Sequence, residues 1–521
     1  NTLKRKRLQH KMNKLIEKKP DLASNHLAPL RVIDQLLVGP ARIEVNRLVM
    51  PYTVIQSGMA DTNEFIYKYE ETVFDPASAT DQNLAAMMGA QLALNYGLFC
   101  KKITFDGPFD AIDKRFFQDM KENTSREILI KKIYQPNMFF KDEVKNLSKK
   151  QKKKYTQASV EFINSQTEIT APKRGDWLTD PHKHCVLSSG GKDSLLSYGL
   201  LKEIGKDVHP IFGNESGRHW FTALNAFRHL QATDSNTGRV WMNSDRMFSW
   251  MLRHLPFVRQ DFANIRADDY PIRLWTVALF LFGVLPLMKK RGIGRLVIGD
   301  EYDCSQRSNF NGITHYNGLY DQSRFFDEAL SRFFMKKGWN ISQFSILRSL
   351  SELLILKTLV KRYPDLQQHQ TSCHATHERE GRIYPCGKCE KCRRIIGMLT
   401  ALDADPQRCG YTESQIELGL KSLATQKVKQ IGSDASHLFY LLSQKNILPS
   451  AARAYPEIMQ LRFDQERSHI DGIPRDLRQP LFKILLEYAT GSVQRMNKNW
   501  EAFDLLNDPE MNAPFVFEKH Q

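Results

Sequence analysis

The segment from His184 to Leu196 constrains this chain more than any other. An apolar run that ends at Leu187 enters a turn of serine and glycine, and the chain then leaves the turn in a helical pattern. A strand, turn and helix in this order direct backbone N–H groups and the positive end of the helix at whatever lies in the turn. The two glycines are adjacent and an aspartate follows Lys192, so the segment matches neither the Walker loop nor the Gly-x-Gly-x-x-Gly of dinucleotide-binding folds. It therefore predicts a phosphate-binding loop of another class.

The sequence around this loop indicates an α/β fold. From Cys185 onward, apolar strands alternate with helical segments, which is the pattern of a parallel sheet covered by helices. We predict strands at residues 185–188, 208–212 and 296–298, and helices after Gly190, Arg218 and Pro271. The longest apolar run, residues 274–288, is short for a membrane span and predicts a buried helix.

The length of the chain, 521 residues, predicts about three folding units. We place a small α+β domain at residues 1–160, with a basic N-terminal arm, strands between Ile43 and Tyr69, a helix capped by Asp81 and a Lys-rich linker at its end. The α/β domain follows at residues 161–410. We expect residues 411–521 to be a helical extension, and they carry no recognisable chemical motif.

The net charge of +16 first suggests a nucleic acid or an anionic small molecule as the partner. Its location argues against nucleic acid, because residues 1–20 and 141–155 carry 12 of the 16 excess positive charges. Both stretches lie outside the α/β core and lack interleaved aromatic residues. Charge runs of this kind are usually hydrated surface, so nucleic acid stays an alternative that is not favoured.

Four of the eight cysteines fall within one 20-residue window, in the pattern Cys-x12-Cys-x2-Cys-x2-Cys. Zinc prefers four soft ligands in a tetrahedron, and a Cys-Gly-x-Cys knuckle supplies two thiolates from one tight turn. We therefore predict a structural zinc site; an iron–sulfur cluster is the alternative that this spacing also permits. The predicted ligands are Cys373, Cys386, Cys389 and Cys392. Low cysteine density, together with no visible signal peptide, predicts a cytoplasmic protein without a membrane partner.

The loop sequence Ser189-Gly190-Gly191-Lys192-Asp193-Ser194 resembles, position for position, the signature of the N-type ATP pyrophosphatases, or PP-loop ATPases. The resemblance implies an adenine nucleotide alpha hydrolase-like parallel sheet in which ATP is cleaved between its α- and β-phosphates and AMP is transferred to an oxygen of the substrate. It further implies that Ser189, Gly190, Gly191 and Ser194 bind the pyrophosphate and that Asp193 helps to hold Mg²⁺. Lys192 occupies the variable position of the signature, and we count it with Asp193 among the catalytic candidates.

The order of loop and cysteines narrows the resemblance. A PP-loop followed by Ser-Cys and then Cys-Gly-x-Cys-x-x-Cys is similar to the 7-cyano-7-deazaguanine synthases and to the UDP-N-acetylmuramoyl-L-alanyl-L-glutamate epimerases. Residues 345–353 and the Gly299-Asp300-Glu301 turn resemble the epimerases more closely. This implies ATP- and Mg²⁺-dependent adenylation of an anionic carboxylate substrate, the terminal L-glutamate of a cell-wall precursor, followed by inversion at its α-carbon. The alternatives are amide or nitrile synthesis on a deazapurine carboxylate and modification of tRNA.

The inversion needs a base on one face of the carbon and a proton donor on the other. The main candidates are Glu301, Asp303 and His315, which follow a predicted strand at the edge where α/β sheets place their ligands. We expect Glu301 to be a second Mg²⁺ ligand rather than the base. Arg348 is a candidate clamp for a carboxylate or phosphate, with an ordinary ion pair as the alternative. Further candidates near the same strand end are Cys304, Tyr316 and Asp321.

Overall fold

The computed structural model describes residues 25–166, 177–215, 217, 219–265, 270–426, 428, 432–449 and 452–517. The basic arm predicted at residues 1–20 lies outside these residues. The strands are β1 (Ile33–Val38), β2 (Arg42–Glu44), β3 (Arg47–Gln56), β4 (Met59–Tyr69), β5 (Cys100–Asp106), β6 (Ser159–Ile163), β7 (Asp180–Ser188), β8 (Asp207–Glu215), β9 (Gly238–Met242), β10 (Ile293–Val297), β11 (Arg307–Phe310), β12 (Ile313–Tyr316), β13 (Ser342–Phe344), β14 (His377–Arg379), β15 (Arg382–Tyr384), β16 (Leu461–Phe463), β17 (Ser492–Met496) and β18 (Asn499–Ala502).

The helices alternate with these strands through the middle of the chain. They are α1 (Ala79–Ala90), α2 (Ala111–Ile128), α3 (Lys192–Glu203), α4 (His219–Thr233), α5 (Ser244–Arg253), α6 (Val277–Arg291), α7 (Arg324–Lys336), α8 (Glu352–Arg362), α9 (Pro364–Gln367), α10 (Glu390–Ala401), α11 (Glu413–Leu423), α12 (Gly432–Gln444) and α13 (Arg475–Leu486). The strands and helices predicted between residues 185 and 298 are confirmed. No helix in the described ranges is both long enough and apolar enough to cross a membrane.

One mixed sheet of eleven strands organises the described chain, in the order β13-β10-β7-β8-β9-β4-β3-β1-β5-β6 with β2 beside β3. The five strands from β13 to β9 run parallel, as the sequence predicts for this region. The antiparallel pairing of β4 with β9 then joins them to the strands of the N-terminal region. The sheet is therefore continuous across residue 160, where the sequence suggests a domain boundary.

Helices cover both faces of the parallel part of the sheet. On one face α6 packs into a large apolar cluster, together with the N-terminal strands and α1 and α2. On the other face α3, α4 and α8 form a second cluster, which the C-terminal residues extend. Burial of α6 confirms the interpretation of the apolar run at residues 274–288 as a core helix. With helices on both faces, the carboxyl edge of the parallel strands is the part of the sheet left open to a ligand.

Two details of the sequence prediction are wrong. The helix α1 is capped by Ser78, whose side chain accepts a hydrogen bond from the backbone N–H of Asp81, while Asp81 itself pairs with Lys289. The C-terminal region is not purely helical, because β16, β17 and β18 form a three-stranded sheet beside its three helices. These strands have only three to five residues, too few for a period-two pattern to stand out in the sequence.

Candidate functional site

The predicted phosphate loop lies between the end of β7 and the start of α3, at the carboxyl edge of the parallel strands. Gly191 is the residue immediately before the helix, and Gly190 has a φ of +73°. A methyl group on Gly190 would lie only 2.7 Å from the Cα atom of Ala223 in α4. Glycine is needed here both for the left-handed backbone and for this close approach of α4 to the loop.

Hydroxyl groups hold the loop in shape. The Oγ atom of Ser194 donates to the carbonyl oxygen of Gly191 at 3.1 Å and accepts from the backbone N–H of Ser189 at 3.4 Å. The loop is therefore braced from within by its own side chain. Such a preorganised turn needs little rearrangement to bind an anion at the helix N-terminus.

The turn after β10 packs directly on the loop. A Cβ atom on Gly299 would lie 2.8 Å from the Cβ atom and 2.9 Å from the carbonyl carbon of Asp193. This close approach brings Asp300 and Glu301 beside the first turn of α3. The tertiary structure thus places the Gly299-Asp300-Glu301 turn next to the predicted phosphate loop, although more than 100 residues separate them in the sequence.

Lys192 is buried among three carboxylates. Its Nζ atom lies 2.8 Å from Oδ1 of Asp193, 3.4 Å from Oε1 of Glu352 and 3.8 Å from Oε2 of Glu301. Burial lowers the pKa of Lys192, but the three carboxylates together raise it well above its ordinary value, so the ammonium group stays charged. Burial also raises the pKa of Glu301 to about 8, against the opposing effect of Lys192.

Two cavities border this group of charges, one at Asp193 and the other at Glu301 and Glu352. The first has a volume of about 240 Å³ and lies between the phosphate loop, β7, β8, the turn after β10, α4 and α6. Its lining has an apolar part and a polar part, so it could hold a ligand with one apolar and one polar end. The apolar lining is Leu187, Val277, Phe280 and Ile298, and the polar lining includes Ser188, Ser189, Asp193, Ser194, Glu215 and Asp300.

The second cavity has a volume of about 610 Å³ and is lined by Glu301. The turn after β10 contributes Glu301, Asp303 and Cys304, and α8 contributes Glu352. Its remaining charged lining comes from residues that the sequence did not single out, Arg394 of α10 and Asp434 of α12. Neither residue belongs to a recognisable motif, so only the fold identifies them.

Three of the other sequence candidates, His315, Asp321 and Arg348, make hydrogen bonds or ion pairs with neighbouring residues of the protein. The Nδ1 atom of His315 lies 3.1 Å from the carbonyl oxygen of Tyr316 in the β11–β12 hairpin, and His315 is not among the residues that line the two cavities. Asp321 accepts the backbone N–H groups at the start of α6. Arg348 donates to Asp300 at 3.2 Å and to Asp327 at 2.6 Å, so it takes the ion-pair role.

The four predicted metal ligands come together in one cluster. Their sulfur atoms all lie within 4.8 Å of one another, with 3.5 Å between Cys389 and Cys392, 3.7 Å between Cys373 and Cys389 and 3.8 Å between Cys386 and Cys392. Four sulfurs at about 2.3 Å from a tetrahedral zinc ion lie about 3.8 Å apart. The backbone N–H groups of Lys388 and Cys389 each donate to Sγ of Cys386 at 3.4 Å. The cluster could hold a metal ion such as zinc, as the sequence predicts.

The cysteine cluster is connected to the phosphate loop. Two residues before Cys373, the backbone N–H of Thr371 donates to the carbonyl oxygen of Gly190 at 3.4 Å. On the other side of the cluster α10 begins directly after Cys389 and carries Arg394, which lies 3.4 Å from Glu352. The cluster therefore fixes two segments that frame the loop and its charged group.

Comparison with models of known protein families and with curated protein sequences found no match to this chain.

Proposed function

We propose that this protein is an AMP-forming ATP pyrophosphatase that activates a carboxylate substrate as its adenylate. The observation that carries the proposal is the contact between the braced Ser-Gly-Gly loop and the acidic turn after β10, with Lys192 buried between them. This arrangement offers N–H donors and a fixed cation where pyrophosphate would leave. The arrangement agrees with the chemistry that the resemblance of the loop to the PP-loop signature implies.

The side chains have separate roles in this proposal. The N–H groups of the loop and Ser194 bind the phosphates, and Lys192 stabilises the charge that develops on the leaving pyrophosphate. Asp193 and Glu301 offer carboxylate oxygens, the ligand type that Mg²⁺ prefers, and they would hold the ion at this edge of the sheet. Bound Mg²⁺ supplies charge neutralisation for the phosphates. The 240 Å³ cavity takes the nucleoside, with the base against its apolar wall.

The 610 Å³ cavity takes the substrate carboxylate in this proposal, since it is lined by Glu301 and Glu352 beside Lys192. Arg394 contributes a cation at its edge. We further propose that the substrate is the terminal L-glutamate of UDP-N-acetylmuramoyl-L-alanyl-L-glutamate, that the α-carbon of its adenylate is inverted, and that water then hydrolyses the adenylate to AMP and the free carboxylate. A free carboxylate resists loss of the α-proton because a dianion would result, whereas the adenylate makes the same carbon more acidic. Asp303, which lines this cavity, is the candidate base.

One observation favours a second function. Four carboxyl groups line the 610 Å³ cavity, those of Glu301, Asp303, Glu352 and Asp434, and Arg394 is the cation in its lining. Lys192, outside the lining, pairs with two of the four, Glu301 and Glu352. An acidic cavity attracts ammonium or an amine more readily than a second anion. The alternative is therefore an amide or nitrile synthetase, in which ammonia captures the same adenylate.

The test is incubation of the protein with Mg²⁺-ATP and each candidate substrate, followed by analysis of the nucleotide products. AMP and pyrophosphate, formed only with the muramoyl dipeptide and accompanied by solvent deuterium at the glutamate α-position, are expected for the epimerase. AMP formed only with ammonia and a carboxylate would indicate the synthetase. Asp193→Asn is expected to abolish AMP formation, while Asp207→Asn, a half-exposed aspartate at the start of β8, serves as the matched control. Release of ADP would refute both proposals.

A further inference from the structure

Glu215, the last residue of β8, is buried in the wall of the 240 Å³ cavity and has no role in the mechanism above. Its side chain is 1 % exposed, and it lines the cavity together with the phosphate loop. One carboxylate oxygen, Oε1, accepts from Ser244 at 2.6 Å and from Arg273. The other, Oε2, has no hydrogen-bond partner among the described residues. A buried acceptor left in this state is costly, and a ligand with a donor would satisfy it.

The surroundings of Glu215 fix its position. Arg273 is itself buried, and its guanidinium group lies 4.9 Å from the ring centre of Phe248 and 4.7 Å from that of Tyr270. With Oε1 held by Ser244 and Arg273, the carboxylate cannot turn freely. Its free acceptor is therefore presented by a rigid frame, which is the property of a residue that selects a ligand.

The place of Glu215 in the fold indicates which part of a nucleotide it meets. β7, α3 and β8 form a strand–helix–strand unit with the phosphate loop at its first turn, and β7 pairs in parallel with β8. In dinucleotide-binding strand–helix–strand units, an acidic side chain at the end of the second strand, about 20 residues after the loop, meets the ribose hydroxyls. The loop of this chain is of another class, but Glu215 holds the corresponding position at the end of β8. Phe280 lies against Gly213, where a Cβ atom would come within 2.3 Å of the ring. Gly213 and Glu215 share one face of β8, so an aromatic wall for the base stands beside the acceptor for the sugar.

We propose that Glu215 accepts a hydrogen bond from a ribose hydroxyl of the nucleotide bound at the phosphate loop and so selects ribonucleotides over deoxyribonucleotides. This assignment rests on the proposed use of ATP. It does not depend on the identity of the carboxylate substrate, because Glu215 lies in the first cavity and not in the second.

The experiment measures the dissociation constants of Mg²⁺-ATP, 2′-deoxy-ATP and 3′-deoxy-ATP by calorimetry. A hydrogen bond to a charged group predicts that the native protein binds at least one deoxy analogue about tenfold or more weakly than ATP. In Glu215→Ala this ratio is expected to fall to about one, and in Glu215→Gln, which keeps a neutral acceptor, to a few-fold. The ratio is taken within each variant, so a general loss of affinity or stability cancels.

Asp476→Asn is the matched control. It removes the charge of Asp476, which pairs with Arg295 at 2.8 Å and with Lys206 at 2.8 Å outside both cavities, and should leave the native ratio unchanged. Equal binding of ATP and both deoxy analogues by the native protein, or a ratio that survives in Glu215→Ala, would overturn the assignment while leaving ATP use intact. Failure of every nucleotide to bind would overturn the proposed function together with this assignment.

Discussion

Replacement of Gly190 by alanine tests the close packing of the phosphate loop against α4. Two effects add at this position. A non-glycine residue at φ +73° costs about 1–2 kcal/mol, and the new methyl group would lie 2.7 Å from Cα of Ala223 and 3.0 Å from the carbonyl oxygen of Thr222. Both of these neighbours are backbone atoms that cannot rotate away. Forced repacking of this kind adds about 1–3 kcal/mol.

We therefore expect Gly190→Ala to lower the free energy of unfolding by about 2–5 kcal/mol. Gly205→Ala is the matched control, because Gly205 has a φ of +76° and a Cβ atom added there would have no other atom within 4 Å. The control should cost only the backbone part, about 1–2 kcal/mol. The difference between the two variants then isolates the contact between the loop and α4.

The assay is urea denaturation followed by tryptophan fluorescence, with binding of Mg²⁺-ATP measured in parallel. Gly190→Ala should also lose most of its nucleotide affinity, since the loop and α4 must move apart, whereas Gly205→Ala should bind as the native protein does. Equal destabilisation by both substitutions would show that α4 does not press on the loop and would refute the reasoning.

Three further results are expected. Cys389→Ser should lose a metal ion that elemental analysis finds in the native protein, while Cys304→Ser, outside the cluster, retains it; equal metal content in both would contradict the assigned ligands. Lys192→Met should lower the free energy of unfolding by about 1.5–3 kcal/mol at pH 7, because it removes the cation paired with Asp193, while Glu352 keeps Arg394 at 3.4 Å. That loss of stability should shrink at low pH as the carboxylates take up protons. A loss that does not change with pH would contradict the ion pairing of Lys192. Burial beside Arg295 lowers the pKa of His184 to about 4, so the unfolded chain binds the proton more readily. Stability should accordingly fall by up to about 3 kcal/mol as the pH drops from about 6.5 to about 4, and His184→Gln should flatten this dependence in urea denaturation across that range.

The parts of the site that the sequence predicted are those whose geometry is local. The loop from Ser189 to Ser194 is one continuous turn between a strand and a helix, so its type can be read from adjacent residues. The knuckle from Cys386 to Cys389 is local in the same sense. Cys373 joins from a distance, but it was found because thiolates are rare and zinc needs four of them.

The residues that the sequence did not single out have no such signal. Glu352, Arg394 and Asp434 come from three helices far apart in the chain, and each is a common residue type on an unremarkable helix. Glu215 ends a strand that was predicted, yet nothing in its neighbours indicates a buried carboxylate with one oxygen unpaired. Such roles arise from which elements pack together, and contact between distant elements leaves little trace in a single sequence.

The sequence by itself determined the α/β character of the central region, the strand, turn and helix of the phosphate loop and the four cysteines of the cluster, because short-range backbone geometry and residue chemistry suffice for each. Only the tertiary structure decided that the N-terminal strands extend the same sheet, that the acidic turn at Gly299 packs on Asp193, and that the C-terminal region contains a sheet and reaches the second cavity. The physical reason is the same in each case. Hydrogen bonds between strands and close backbone contacts join residues that are more than 100 positions apart, and their free energy depends on the packing of the whole chain.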